Sequence, residues 1–192
     1  TPPSVAVRGR FSPFMFKGTV FSTGGYSAEY GQALSSVLQL ETNELPAEDQ
    51  LDIGLLNFGG DVAGTKVWKD GAVTGSLNYY NLSPYMKVVP QNLSWNQAPT
   101  STTGQVNLRQ KTGSSGIFKL YGNYNRANMD LDYQQPGAGE AAFDLGNANL
   151  FLNSSWKGLL SEKWAIRAGA SFTRNRDAIN FEGNSLKEDL TA

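Results

Sequence analysis

The sequence predicts an all-β protein, an antiparallel meander of hairpins. Three observations carry this. Runs of alternating apolar and polar residues recur along most of the chain. Glycine- or proline-containing turn segments separate them. No apolar stripe of useful length repeats at the 3.6-residue period of a helix.

The first section, 1–44, is rich in glycine and contains one alternating strand, 36–42. Segment 45–49 reads as a linker, with Pro46 followed by Glu48 and Asp49. Strands are then expected near 50–58, 62–69, 72–82, 102–112, 117–133, 143–157 and 163–181. The expected breaks are Gly59-Gly60-Asp61, Asp70-Gly71, the stretch 83–101, the glycines and serines of 113–116, the loop 134–142 around Pro136, and 158–162. Residues past 181 read as a polar stretch carrying Lys187, Glu188 and Asp189.

Each strand has one apolar and one polar face. Trp164, Ile166, Ala168, Ala170 and Phe172 share a face, against Lys163, Arg167, Gly169, Ser171 and Thr173. Leu150, Leu152 and Trp156 oppose Asn149, Asn153, Ser155 and Lys157; Phe118, Leu120 and Tyr124 oppose Lys119, Asn123 and Asn125. Val106 and Leu108 oppose Gln105, Asn107 and Arg109; Val73, Leu77 and Tyr79 oppose Thr74, Ser76 and Asn78. Tyr80, Tyr121 and Phe151 are the aromatic exceptions on the polar side.

Two architectures give this alternation. A soluble sandwich turns the apolar faces inward; a transmembrane barrel turns them to lipid. Strands of about ten residues, tilted near 45°, reach roughly 24 Å, the height of a barrel's apolar band. Trp68, Tyr79, Trp156 and Trp164 lie near strand ends, where aromatic girdles sit. From Asp70-Gly71 onward short turns alternate with longer connections, Gly59-Gly60-Asp61 alone being short on the outer side, and the parity places the start of the first barrel strand on the periplasmic side.

Composition narrows the chemistry. The 192 residues include no Cys and no His, so disulfides, thiolate metal sites and Ser-His-Asp or Cys-His catalysis are excluded. Sixteen basic and seventeen acidic residues give a net charge of −1, with no basic excess for a nucleic-acid partner. No run approaches the roughly 20 apolar residues of a spanning helix, a criterion blind to barrels. The carboxylate pairs Glu48-Asp49 and Glu188-Asp189 stand in polar segments that offer no apolar pocket to raise a pKa. No catalytic set, metal site or cofactor is expected, although a two-carboxylate β-rich hydrolase remains a third reading.

Segment 24–40, GGYSAEYGQALSSVLQL, resembles the end of the plug domain in TonB-dependent outer-membrane receptors. The matching elements are Glu29-Tyr30-Gly31, Leu34-Ser35-Ser36 and the short strand Val37-Leu38-Gln39-Leu40; upstream, Val7-Arg8-Gly9 is similar to the family's Arg-Gly element. Ser35-Ser36 stands where the family commonly carries Gly-Gly, and no TonB box is visible. The resemblance covers roughly 5–44 by motif and 45–192 by strand pattern alone.

The resemblance implies a plugged transmembrane β-barrel: 1–44 the C-terminal part of the plug, 45–49 a linker, and 50–192 roughly the first seven barrel strands. It implies a source protein several times longer, since transporter barrels have 22 strands. It further implies an outer-membrane receptor, not an enzyme, that takes up a siderophore, oligosaccharide or other nutrient. Outer-membrane lipid, TonB and a surface lipoprotein are the partners it suggests. The alternative from another class is a soluble β-sandwich binding or adhesion module.

Candidate residues follow from these readings. Tyr85, Asn92, Trp95 and Asn96 lie in the long outer connection and combine aromatics with amides, suited to a sugar or siderophore. Arg8, Arg10 and Glu29 are candidate plug charges, with Arg109 and Arg167 as barrel counterparts. Solvated or locally paired charges are the plainer reading of all five. Asp130 and Asp132 alternate near a strand end, as a cation site or as a charged tip. Gly24, Gly25 and Gly31 suit a mobile loop or tight turns.

Overall fold

The structure, a computed structural model, describes residues 16–22, 37–42, 48–90, 93–135, 139–161, 163–181 and 184–192. At 16–22, 37–42, 133–135, 139–140 and 184 the description is of backbone. The chain divides into two compact units, Thr1–Pro46 and Ala47–Ala192.

In the first unit, β1 (Phe16–Ser22) pairs antiparallel with β2 (Val37–Thr42), Ser22 opposite Val37 and Phe16 opposite Thr42. The expectation of one strand here is corrected. Phe16-Lys17-Gly18-Thr19-Val20-Phe21 reads as irregular because Lys17 and Gly18 interrupt its alternation, and the register shifts between Phe16 and Gly18.

The second unit is one antiparallel sheet of eight strands in strict chain order. They are β3 (Gln50–Leu56), β4 (Gly59–Trp68), β5 (Gly71–Asn81), β6 (Ser94–Thr112), β7 (Gly116–Gln135), β8 (Gly139–Ser161), β9 (Trp164–Phe181) and β10 (Asn184–Thr191). The all-β antiparallel meander is therefore present. The sheet is open, with β3 and β10 as its edges.

Several element boundaries differ from those read in the sequence. The first turn is Asn57-Phe58, and Gly59 and Gly60 are strand residues. Gly59 serves close approach, not turning: a Cβ there would lie 2.1 Å from the Tyr79 carbonyl oxygen and 2.9 Å from Tyr80 Cα. Gly113 does turn the chain, with φ of 65° at the β6–β7 corner.

β7 and β8 run far into what reads as the loop 134–142, and β8 continues through 158–161. A main-chain ladder needs no apolar side chains, so polar residues extend the hairpin where periodicity fades. The long connection 82–93 contains α1 (Ser83–Val88), started by Pro84 in its first turn and by Asn81 Oδ1 accepting the Ser83 N–H at 2.9 Å. β10 also escaped the periodicity. It is held by its ladder to β9 and by Asp189, which accepts bonds from Arg174 (3.2 and 3.0 Å) and Arg176 (2.9 Å).

At the other edge Asp49 completes the β3–β4 ladder. The pairing ends at Gln50–Thr65, and the next outward N–H, that of Val67, donates to Asp49 Oδ1 at 2.8 Å while Lys66 Nζ pairs with Oδ2. The two hydrogen bonds hold the Asp49 carboxyl below its ordinary value.

Candidate functional site

Register settles which residues share a face, because residues paired across an antiparallel ladder project the same way. One row reads Leu51, Gly64, Gly75, Val106, Gly122, Leu152, Phe172, and the next on that face reads Ile53, Val62, Leu77, Gly104, Tyr124, Leu150, Arg174. This is the apolar face read from the sequence. It is also an exposed face: Leu55 and Trp164 leave 85% and 71% of their surface open, and Leu77, Val106, Leu152, Ile166 and Phe172 are exposed as well. The described residues in the second unit bury few large apolar side chains, Tyr121 foremost.

The apolar stripe has edges, and they run obliquely to the strands. On β5 it reaches up to Tyr79, which is in register with Arg176 of β9. On β9 it stops at Phe172, four residues lower. Four residues at about 3.4 Å over four inter-strand steps of about 4.8 Å tilt that edge by about 35°. The lower edge behaves alike. Leu51 of β3, with Asp49 beneath it, is in register with Phe172, and the stripe on β9 descends eight residues to Trp164. That is about 27 Å over six steps of about 4.8 Å, or about 43°.

Aromatic side chains mark both edges. Trp68, Trp156 and Trp164 stand at the short-turn end, and Tyr79 and Tyr124 at the other. Trp68 donates its indole N–H to Gln110 Oε1 and Trp156 to Thr112 Oγ1, both at 2.8 Å. From Trp68 to Tyr79 the hairpin crosses eight residues of strand, about 27 Å along the strand and about 22 Å after the tilt.

Above Tyr124 and Phe172 the same face turns charged, with Arg126, Arg174, Arg176, Lys187 and Asp189, then Asp130, Asp132 and Asp144. β7 at 20 residues is about twice the length needed for the stripe, so its second half carries the polar residues beyond it. Among the described residues no helix is long and apolar enough to cross a membrane, and no cluster of acidic side chains is arranged to hold a metal.

The opposite face is polar and its charge is divided. Arg109 and Lys119 share one row, and Lys111, Lys157 and Arg167 the next towards the short turns. Towards the other end the same face carries Asp52, Asp61, Asp177 and Glu188. Arg109 and Arg167 were singled out in the sequence; the grouping with Lys111, Lys119 and Lys157 was not, because it depends on cross-strand register. The Arg109 Nε is buried without a hydrogen-bond partner among the described residues. The aromatic exceptions pair here: Tyr121 with Phe151 and Phe58 with Tyr80, ring centroids 6.1 Å apart in each.

Trp95 and Asn96 line a cleft of about 330 Å³ with Ser83, Met86, Lys87, Leu93 and Ala98. The Trp95 indole N–H is buried and has no hydrogen-bond partner among the described residues, whereas Asn96 donates to Asp132 at 2.8 Å and to Asp130 at 3.4 Å. Tyr85 stands exposed on α1 and is not among the lining residues. Asn92, Arg8, Arg10 and Glu29 lie outside the described residues.

Comparison with protein-family models, with curated proteins and with solved structures finds no match for this chain.

Proposed function

We propose that the eight-stranded sheet is part of the wall of a transmembrane β-barrel in an outer membrane, and that the protein is a plugged, TonB-dependent receptor for a siderophore, oligosaccharide or other nutrient. The observation that carries the barrel is the exposed apolar stripe on one face. Its edges slope by about 35° and 43°, within the strand tilts of about 35–45° that barrels adopt. A height near 22 Å, with tryptophans at one edge and tyrosines at the other, suits an apolar band of about 25 Å between aromatic girdles. A sandwich has no reason to cut its apolar face obliquely or to leave it in water.

The receptor part rests on the resemblance of segment 24–40 to the end of a plug domain. In this reading 1–44 belongs to the plug, the polar face lines the lumen, and the basic rows around Arg109 and Arg167 face the periplasmic end. The cleft at Trp95 and Asn96 then opens at the outer surface, where the buried Trp95 indole N–H can donate to a polar ligand. Transport needs no bond chemistry: the ligand is held outside and released inward when TonB pulls on the plug. In this reading a surface lipoprotein is a further partner of the assembly, closing over the outer loops.

Titration of the full-length protein in outer-membrane vesicles with the purified periplasmic domain of TonB tests the receptor. Saturable binding that strengthens when a nutrient is taken up supports it. A lipid-embedded protein that never binds TonB keeps the barrel and removes the receptor.

A further inference from the structure

The polar face changes character above Asp177 and Glu188. The next row up on that face is Met129, Leu145, Ile179 and Leu186, and the row above it is Trp95, Leu131, Phe143 and Phe181. All eight are apolar, where the same face lower down carries Asn125, Asn149 and Asn175. The opposite face makes the reverse change, from Tyr124, Leu150 and Phe172 to Arg126, Arg174 and Arg176. The two faces therefore trade polarity within a few residues. The patch spans β6 to β10, four inter-strand steps or about 19 Å, in two rows about 7 Å apart. Part of it is open: Leu186 leaves 66% of its surface exposed and Phe181 36%. A contiguous apolar surface of this kind, where the other side has turned polar, marks a site that something covers.

At its β6 end the patch meets α1, where Met86 and Leu93 line the cleft of about 330 Å³ with Trp95. Two donors stand there. One is the buried Trp95 indole N–H, which has no partner among the described residues. The other is Lys87, exposed in the last turn of α1 and in no ion pair among the described residues. Lys87 is the one charged side chain lining the cleft. Asp130 and Asp132 alternate to the opposite face, where they take the Asn96 amide. Asp177 and Glu188 share the face but lie on β9 and β10, three to four inter-strand steps from β6, about 14–19 Å.

We infer that this patch and cleft together bind a small hydrophobic carboxylate, its apolar body on Leu131 and Phe143 and its carboxylate at Trp95 and Lys87. The inference rests on the barrel reading above, which turns this face inward at the outer mouth, and it narrows the ligand of that reading. The charge fixes the orientation, with a cation at the β6 end and carboxylates at the far end. A carboxylate accepts from both donors, and a charge-assisted bond is the stronger kind. An oligosaccharide laid on the patch would bury hydroxyls against apolar side chains without partners, which is costly.

The test uses the full-length protein in phosphatidylcholine nanodiscs, titrated calorimetrically against empty discs as the blank. The probes are 2-naphthoate, 2-naphthylmethanol (the same ring without the charge) and maltotriose. The expected result is saturable binding of 2-naphthoate, at least about tenfold tighter than the alcohol. Lys87→Gln erases that preference and Lys87→Arg keeps it. Leu131→Ser, beside Trp95, weakens both naphthalenes and leaves the preference. Binding of maltotriose in place of naphthoate, or naphthoate binding indifferent to Lys87→Gln and Leu131→Ser, overturns the site. The periplasmic domain of TonB is titrated into the same discs. Its binding without a naphthoate site overturns this inference alone and leaves the receptor standing. A naphthoate site that responds to the substitutions, without TonB binding, supports the inference and removes the receptor. A wild type that stays soluble and does not enter discs overturns the barrel and the site together.

Discussion

Placing an arginine in the middle of the stripe separates lipid from water with a computable cost. On β8 the apolar face runs from Trp156 to Leu150, and Leu152 lies two residues from one end and four from the other. At about 3.4 Å per residue that is about 7 and 14 Å, near the centre. An arginine at a barrel's bilayer midplane costs about 2–4 kcal/mol, so Leu152→Arg should lower the folding equilibrium by a factor of about 30 or more. One residue along, Asn153 projects to the polar face between Tyr121 and Ser171, and Asn153→Arg should stay within about 0.5 kcal/mol of the wild type. Urea titration of the full-length protein in lipid vesicles, followed by tryptophan fluorescence, measures both. A Leu152→Arg protein as stable as the wild type would refute the reasoning, because an exposed leucine in water has nothing to lose.

Three further outcomes are expected. Gly59→Ala should cost about 1–3 kcal/mol, since its Cβ would fall 2.1 Å from the Tyr79 carbonyl oxygen. Gly64→Ala, whose nearest neighbours lie at 3.8 Å, should be near neutral in the same titration; equal costs would show that close approach is not what Gly59 serves. Trp156→Phe and Trp68→Phe should each lose about 0.5–1.5 kcal/mol with their indole hydrogen bonds, and Trp164→Phe, which makes none among the described residues, should lose less. The Asp49 clamp should depend on pH. Its carboxyl is held below the ordinary 3.8, so the clamp is fully present above that value and is lost as pH falls through the lowered one. Lys66→Met should move the Asp49 titration upward, and a Val67 amide whose exchange protection ignores pH down to 2 contradicts the clamp.

The faces of the sheet were legible in the sequence because a strand's period of two needs no knowledge of its partner. Val106, Leu152 and Phe172 could be assigned to one face strand by strand, but that they form a single row follows only from the register. The slope of the stripe and the basic rows around Arg109 are both properties of register and were hidden for that reason. Gly59-Gly60 misled because glycine signals both a turn and a close backbone approach, and here the second operates. β10 was missed because Leu186 and Leu190 are its only large apolar residues, while ladder bonds and the Asp189 pairs hold it. Of the loop residues, Trp95 and Asn96 come together at one cleft although their strand opens with a bulge, which periodicity cannot place.

The central claim is that one face of this sheet meets lipid and the other water. Single cysteines in the full-length protein test it directly, placed at Leu152, Ile166 and Phe172 on one face and at Asn153, Arg167 and Ser171 on the other; the described chain has no cysteine to compete. The account predicts that, in outer membranes, the first three react with a lipid-phase probe and the second three with a membrane-impermeant thiol reagent. Shielding of the first three from both reagents, in a protein found in the soluble fraction, would contradict it and leave an internal sandwich core as the explanation of the apolar face.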